Sequence, residues 1–224
     1  MLKLVIGNKA YSSWSLRGWL ALKQSRLPFE EVTVPLYDEE WDKRREGDEF
    51  APSSGKVPIL WDGDIVVWDS LAIIEYCAEK AGRDLFWPAD DAARAMARSM
   101  AAEMHSSFAH LRREHSMNIR TRFPFRPLSE GVQSDVLRLA QLWAEARARF
   151  ASGGPFLFGP FGAADIMFAP VVTRLVTYSI PVPRFALAYV DAILAHPFMQ
   201  EWIAGAQEEP WVIERFEPTV QSED

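Results

Sequence analysis

The feature that most constrains this chain is a change of pattern at Gly82. Before it strand-like and helix-like segments alternate, and after it no convincing strand occurs. Leu4-Val5-Ile6 is a short apolar run closed by Gly7, as expected of a buried strand. Between Ser12 and Ser25, Leu16, Trp19, Leu20 and Lys23 fall at helical spacing behind serines suited to cap the first turn. Val32 to Pro35 reads as a weak second strand. Val57 to Trp61 and Ile65 to Trp68 flank Asp62-Gly63-Asp64, and Asp-Gly supplies the positive φ angles of a tight hairpin. Asp69-Ser70 then opens a helix carrying Leu71, Ile73, Ile74 and Cys77, which Gly82 stops. The predicted order is strand, helix, strand, an irregular or helical stretch, strand, strand, helix.

Downstream, Asp90 to Asn118, Leu128 to Phe150, Ala163 to Ser179, Pro183 to Ala195 and Phe198 to Ala206 read as helices. All six lysines lie at or before residue 80, and arginine supplies every later Lys or Arg charge. These shifts predict an α/β unit over residues 1–80, a linker over 81–92 and an all-helical unit over 93–224. The acidic end from Glu214 to Asp224 reads as a loose or surface-laid tail.

Composition narrows the function. A net charge of −7 repels phosphate backbones, which argues against nucleic acid as a partner. A lone Cys77 leaves neither an intramolecular disulfide nor a cysteine-based zinc site. His105, His110, His115 and His196 match no metal-binding spacing, so no metal is expected. No apolar run reaches the roughly 18 residues of a membrane span, and the first residues lack a cleavage-site pattern. A soluble, cytoplasmic protein is the expectation.

Three short motifs carry chemistry, and each has a plain reading beside the functional one. Val57-Pro58 opens a strand after Ser53-Ser54-Gly55-Lys56; it is either an ordinary edge-strand start or a cis bond presenting Val57 to a peptide-like ligand. Asp69-Ser70 is a helix cap, or the amides behind it hold a carboxylate while Asp69 accepts from an ammonium. Tyr11-Ser12-Ser13-Trp14-Ser15 supplies either helix caps or hydroxyl donors for a thiolate or oxyanion. The arginines around residues 112–126 read as a solvated face, and Cys77 as inert core. No Gly-x-Ser-x-Gly elbow supports a hydrolase.

Together and in this order, the motifs resemble those of cytosolic glutathione S-transferases over nearly the whole chain. Tyr11 to Leu22 is similar to the Ser-Ser-Cys-x-x-Arg-x-x-x-Ala-Leu motif of the zeta class, with Trp14 standing where the cysteine would be. Lys56-Val57-Pro58 resembles the backbone clamp around a cis-proline, and Asp69-Ser70-Leu71-Ala72-Ile73 the signature for the γ-glutamyl end. Glu103 to Phe108 resembles a stretch of bacterial beta-class members in which the histidine faces the active site. Phe161 to Ile166 is similar to the family's capping box and hydrophobic staple, with Gly162 in place of Ser or Thr.

The resemblance implies a thioredoxin-like domain followed by a helical bundle, α/β plus all-α, in a homodimer that uses glutathione as co-substrate. It places Ser12 as the thiol-activating serine with Ser13 beside it. It implies that Lys56, Val57, Pro58, Asp69 and Ser70 hold glutathione. Trp14, Met104, His105 and Phe108 would line the pocket of a small hydrophobic electrophile. The implied activity is thiolate transfer. The alternatives are a maleylacetoacetate isomerase-type cis-trans isomerisation, which Trp14 disfavours, and a non-catalytic binding or folding-assistance protein on the same scaffold.

Overall fold

In the computed structural model, which describes residues 1–217, the first half is a four-stranded mixed sheet with helices on both faces. Strand β1 (Leu2–Ile6) lies centrally, parallel to β2 (Phe29–Thr33) and antiparallel to β3 (Ile59–Asp62), which pairs with β4 (Ile65–Trp68) in the order β2-β1-β3-β4. Side chains alternate across β1, as a strand requires. Leu4 and Ile6 join Leu60 in the main core, while Val5 and Ile59 join Trp41 and Phe50 in a second cluster on the opposite face. On the main-core side sit α1 (Ser13–Ser25) and α3 (Ser70–Ala81), packed on each other; α2 (Trp41–Arg45) covers the other side through Trp41.

The second half contains α4 (Asp91–Ser106), α5 (Ala109–Glu114), α6 (Glu130–Phe150), α7 (Ala163–Thr177), α8 (Arg184–Ala195) and α9 (Pro197–Glu208). Helix α7 is buried along nearly its whole length and packs on both α1 and α4. One continuous core therefore runs across the seam between the halves.

Two sequence expectations shift. The second strand begins at Phe29 rather than Val32. Its register is set by residue-for-residue pairing with β1, and as an edge strand it carries the exposed Glu30 and Glu31, which disguise it. The long helix expected over Asp90 to Asn118 breaks at Phe108, which adopts a left-handed conformation (φ 62°). Arg112 donates to the carbonyls of Met104 and Ser107, closing the end of α4 while Phe108 turns into the core. The end from Glu214, expected to be loose or surface-laid, lies on the surface where it is described, with Glu214 and Arg215 exposed. Glu214–Phe216 forms a 3-10 turn packed on the core, and residues 218–224 lie outside the described residues.

Two glycines are required by close approach. A Cβ on Gly18, in mid-α1, would stand 2.8 Å from the Pro58 ring. A Cβ on Gly162, ahead of α7, would stand 2.7 Å from the Phe86 carbonyl. That carbonyl accepts from Ala163 N at 2.8 Å, and Asp165 accepts from Gly162 N at 2.9 Å and Leu157 N at 3.1 Å. With no side chain at the cap, Asp165 supplies its half of the box and a carbonyl from another segment takes the first helical amide.

Candidate active site

A cleft of about 1080 Å³ opens at the seam. Its floor is the start of α1. Ser12 caps that helix: its Oγ accepts from Ser15 N at 3.3 Å and donates to Ser15 Oγ at 2.8 Å, which also receives Gly7 N at 2.9 Å. The Ser12 hydroxyl is hydrogen-bonded within the start of α1. Ser13 differs. Its Oγ accepts from Arg174 Nη2 at 3.2 Å, and its own proton has no acceptor among the described residues.

Arg174 belongs to α7 and is buried. It also donates to the carbonyls of His115 (2.9 Å) and Pro170 (3.0 Å). Burial, with Arg112 nearby, pushes its pKa down to about 9. Arg17, wholly buried, donates from Nε to Met167 O at 3.0 Å, while Nη1 and Nη2 find no partner. Burial first, then Arg112 and Arg174, hold its pKa well below the ordinary arginine value. The Trp14 ring centroid lies 4.6 Å from the Arg17 guanidinium and 4.8 Å from that of Arg112, with His105 tilted against it at 5.4 Å.

The opposite wall comes from the first half. Ser53 Oγ accepts from Lys56 N at 3.0 Å and fixes the loop that leads into Val57-Pro58, whose peptide bond is cis. Asp69 adopts φ +75°, a sparsely populated backbone for a non-glycine residue. Its Oδ1 accepts from Leu71 N at 2.8 Å and its Oδ2 lies 2.6 Å from His105 Nε2, a contact that spans the seam. Ser70 follows at the first position of α3. It is 1% exposed, lines the cleft, and its Oγ has no hydrogen-bond partner.

Of the residues singled out from the sequence, Ser12, Ser13, Trp14, Lys56, Val57, Pro58, Asp69, Ser70 and His105 line this one cleft. Met104 and Phe108 do not. Both are buried in the core, because the helical turn that presents His105 to the cleft rotates Met104 inward, and Phe108 sits at the break after α4. Cys77 is core as expected, and burial pushes its thiol up to about 12.

The sequence reading missed the cations. Arg112 is not on a solvated face, and Arg120 donates to the carbonyls of Glu209 (2.7 Å) and Trp211 and to the Tyr11 hydroxyl (2.8 Å). Glu217 receives the Tyr11 hydroxyl, which ties the last described residue to the cleft. No spacing pairs Ser13 with a residue 161 positions away. Among the described residues no group of three His, Cys, Asp or Glu side chains could hold a metal ion, and no helix is long and apolar enough to cross a membrane.

A thioredoxin-like sheet domain joined to an all-helical domain, with the cleft at their seam, defines a class of two-domain proteins. Residues 11–80 match the family model of the glutathione S-transferase N-terminal domain and residues 130–205 that of the C-terminal domain, together more than half of the chain. The chain is 25% identical over 197 residues to glutathione S-transferase GstB of Escherichia coli, covering 86% of this chain and 88% of that one. Among solved structures, a Burkholderia glutathione transferase homologue with bound glutathione superposes with a TM-score of 0.68 at 26% identity, covering 93% and 99% of the two chains. Isozyme E7 of Drosophila melanogaster shares the fold with a TM-score of 0.67 at 22% identity over 92% and 93%. The chain belongs to the glutathione S-transferase family.

Proposed function

We propose that this protein binds glutathione in the cleft and catalyses attack of its thiolate on an electrophile. The observation that carries the reading is Ser70. A hydroxyl that is buried, unpartnered and set at a helix N-terminus facing a cleft is a donor awaiting an acceptor. The γ-glutamyl carboxylate of glutathione is that acceptor, with the Asp69 carboxylate beside it for the ammonium. Val57 pairs through its backbone with the cysteinyl unit, and Lys56 at the cleft edge attracts the glycyl carboxylate. The Burkholderia relative carries glutathione, which supports the same ligand here.

A glutathione thiol has the cysteine pKa of about 8.5, and lowering it by two units takes roughly 2.7 kcal/mol of preferential thiolate stabilisation. One hydroxyl donating to a charged acceptor supplies about 1.5–3 kcal/mol, and a helix start adds ~0.3–1 kcal/mol. We assign the donor to Ser13 rather than Ser12. Arg174 holds the Ser13 oxygen and leaves its proton for the sulfur, whereas Ser12 is committed to Ser15. In the reaction the sulfur–carbon bond forms, the leaving group departs with its electron pair, and the thiol proton passes to water.

A homodimer in the cytoplasm belongs to this reading. Strand β4 is an edge of the sheet and leaves Ile65 and Trp68 about half exposed. Sedimentation of a concentration-independent 25.4 kDa species would contradict the dimer. The decisive test is calorimetry with glutathione. Wild-type protein binds, Ser70→Ala weakens binding, and absence of binding to the wild type overturns the function.

A further inference from the structure

The helical wall of the cleft holds positive charge that the glutathione contacts leave unused. Arg112, Arg113 and Arg174 line it. The one acidic side chain among the described lining residues, Asp69, lies against His105 and, in the proposed complex, faces the glutathione ammonium rather than these arginines. Behind Trp14, Arg17 keeps two buried guanidinium nitrogens without an acceptor. Arg112 spends Nε and Nη2 on carbonyls of its own segment and leaves Nη1 with none among the described residues. Burying like charges with so little compensation is unfavourable, and guanidiniums favour planar, two-pronged acceptors.

We propose that the second substrate is an organic carboxylate, whose anionic group binds between Arg112 and Arg174 while its apolar body lies against Trp14. For its chemistry this rests on the transferase reading; the anion site itself stands on the arginines. Ser13, which receives Arg174, lies beside the proposed carboxylate site, so one cation orients both the thiol donor and the substrate. The net charge of −7 disfavours polyanions at long range, which leaves a small monoanion as the fitting ligand. Burial lowers the pKa of all three arginines; Arg112 lowers those of Arg17 and Arg174 further, while Asp135 partly offsets the shift at Arg112 and Asp69 that at Arg17.

The test uses two electrophiles that differ only in charge, 4-(chloromethyl)benzoate and 4-(chloromethyl)benzamide. In each, the glutathione sulfur bonds to the benzylic carbon as chloride leaves. The expected kcat/KM ratio favours the benzoate by about tenfold or more, the worth of a charged hydrogen bond. Arg112→Gln brings the ratio towards one, and Arg112→Lys retains part of it. Calorimetry with unreactive 4-methylbenzoate and 4-methylbenzamide, with and without S-methylglutathione, reads the anion site even if turnover is absent. It also stands on the wild type alone if the variants fail to fold. Tighter benzoate binding supports the proposal whether or not glutathione is bound. Equal affinities in the wild type, or a preference that survives in folded Arg112→Gln, overturn it and leave the transferase reading standing if glutathione binds.

Discussion

Two helix starts, α3 and α7, meet the same physical demand in opposite ways. Each presents free amides and the positive end of a helix inside the protein. At α7 the chain closes that end itself, through Asp165 on Gly162 and Leu157 and through the Phe86 carbonyl on Ala163. At α3 the Asp69 side chain caps Leu71 while the Ser70 hydroxyl, equally buried, is left without a partner in the cleft. A satisfied helix start is scaffold, and an unsatisfied one facing a cleft is a site. The sequence motifs look alike, because both are an acidic or hydroxyl side chain at the head of an apolar helix.

The largest effect is expected at the closed end. Asp165→Ala removes two backbone hydrogen bonds to a buried carboxyl and strands both donors, costing about 3–5 kcal/mol. For a chain of this size that lowers Tm by roughly 10 °C. Affinity per folded molecule for glutathione should not change; if stability holds while affinity falls, the comparison is wrong. Burial also raises the Asp165 pKa to about 7, against an ordinary value near ~3.9. Its contribution favours the folded state below about pH 4 and is lost as pH rises through about 7. Denaturant titrations at pH 4 to 8 should show that slope, and Asp165→Asn should flatten it.

The open end predicts the reverse pattern. Ser70→Ala should weaken glutathione by about 1.5–3 kcal/mol, roughly 10- to 150-fold, with Tm unchanged or slightly higher. Removing an orphaned buried hydroxyl relieves a desolvation penalty in the free protein. A drop in Tm with unaltered affinity would return Ser70 to the status of Asp165.

The comparison also explains what could be read from the sequence. The α3 end was legible because its parts are contiguous: Asp69-Ser70 follows a hairpin whose Gly63-Asp64 turn, one residue on from the Asp-Gly expected, fixes the register. The capping carboxylate Asp165 was legible for the same reason. The Phe86 carbonyl that completes that cap was not, since a backbone group from a distant segment leaves no mark in local sequence. Met104 and Phe108 were misplaced because a run of residues identifies a helix without fixing which side faces a cleft, and the break at Phe108 changes that phase. The arginines escaped because Arg112 is indistinguishable in sequence from its exposed neighbour Arg113. Only the approach of α7 and α5 to Trp14 and Ser13 gives those cations a role.

The smallest effects separate the two serines at the start of α1, a helix end that is partly closed and partly open. Ser13→Ala should raise the pKa of bound glutathione thiol by roughly 1.5 units, the loss of about 2 kcal/mol of thiolate stabilisation, and slow turnover at pH 7 to match. Ser12→Ala removes a helix cap and should cost about 1 kcal/mol of stability while moving the thiol pKa little. The difference follows from where each proton goes, to Ser15 Oγ from Ser12 and into the cleft from Ser13. Titrating thiolate absorbance with glutathione bound to each variant reads the two pKa values, and Tm reads the cap. If Ser12→Ala shifts the titration and Ser13→Ala does not, the Ser12–Ser15 bond must open on binding, and the motif alignment identified the donor correctly. If both shift it, the two hydroxyls share the sulfur. If neither does, the thiolate is held by the helix end and by the field of Arg174 and its neighbours, and α1 joins α7 as a start whose side chains serve only the fold.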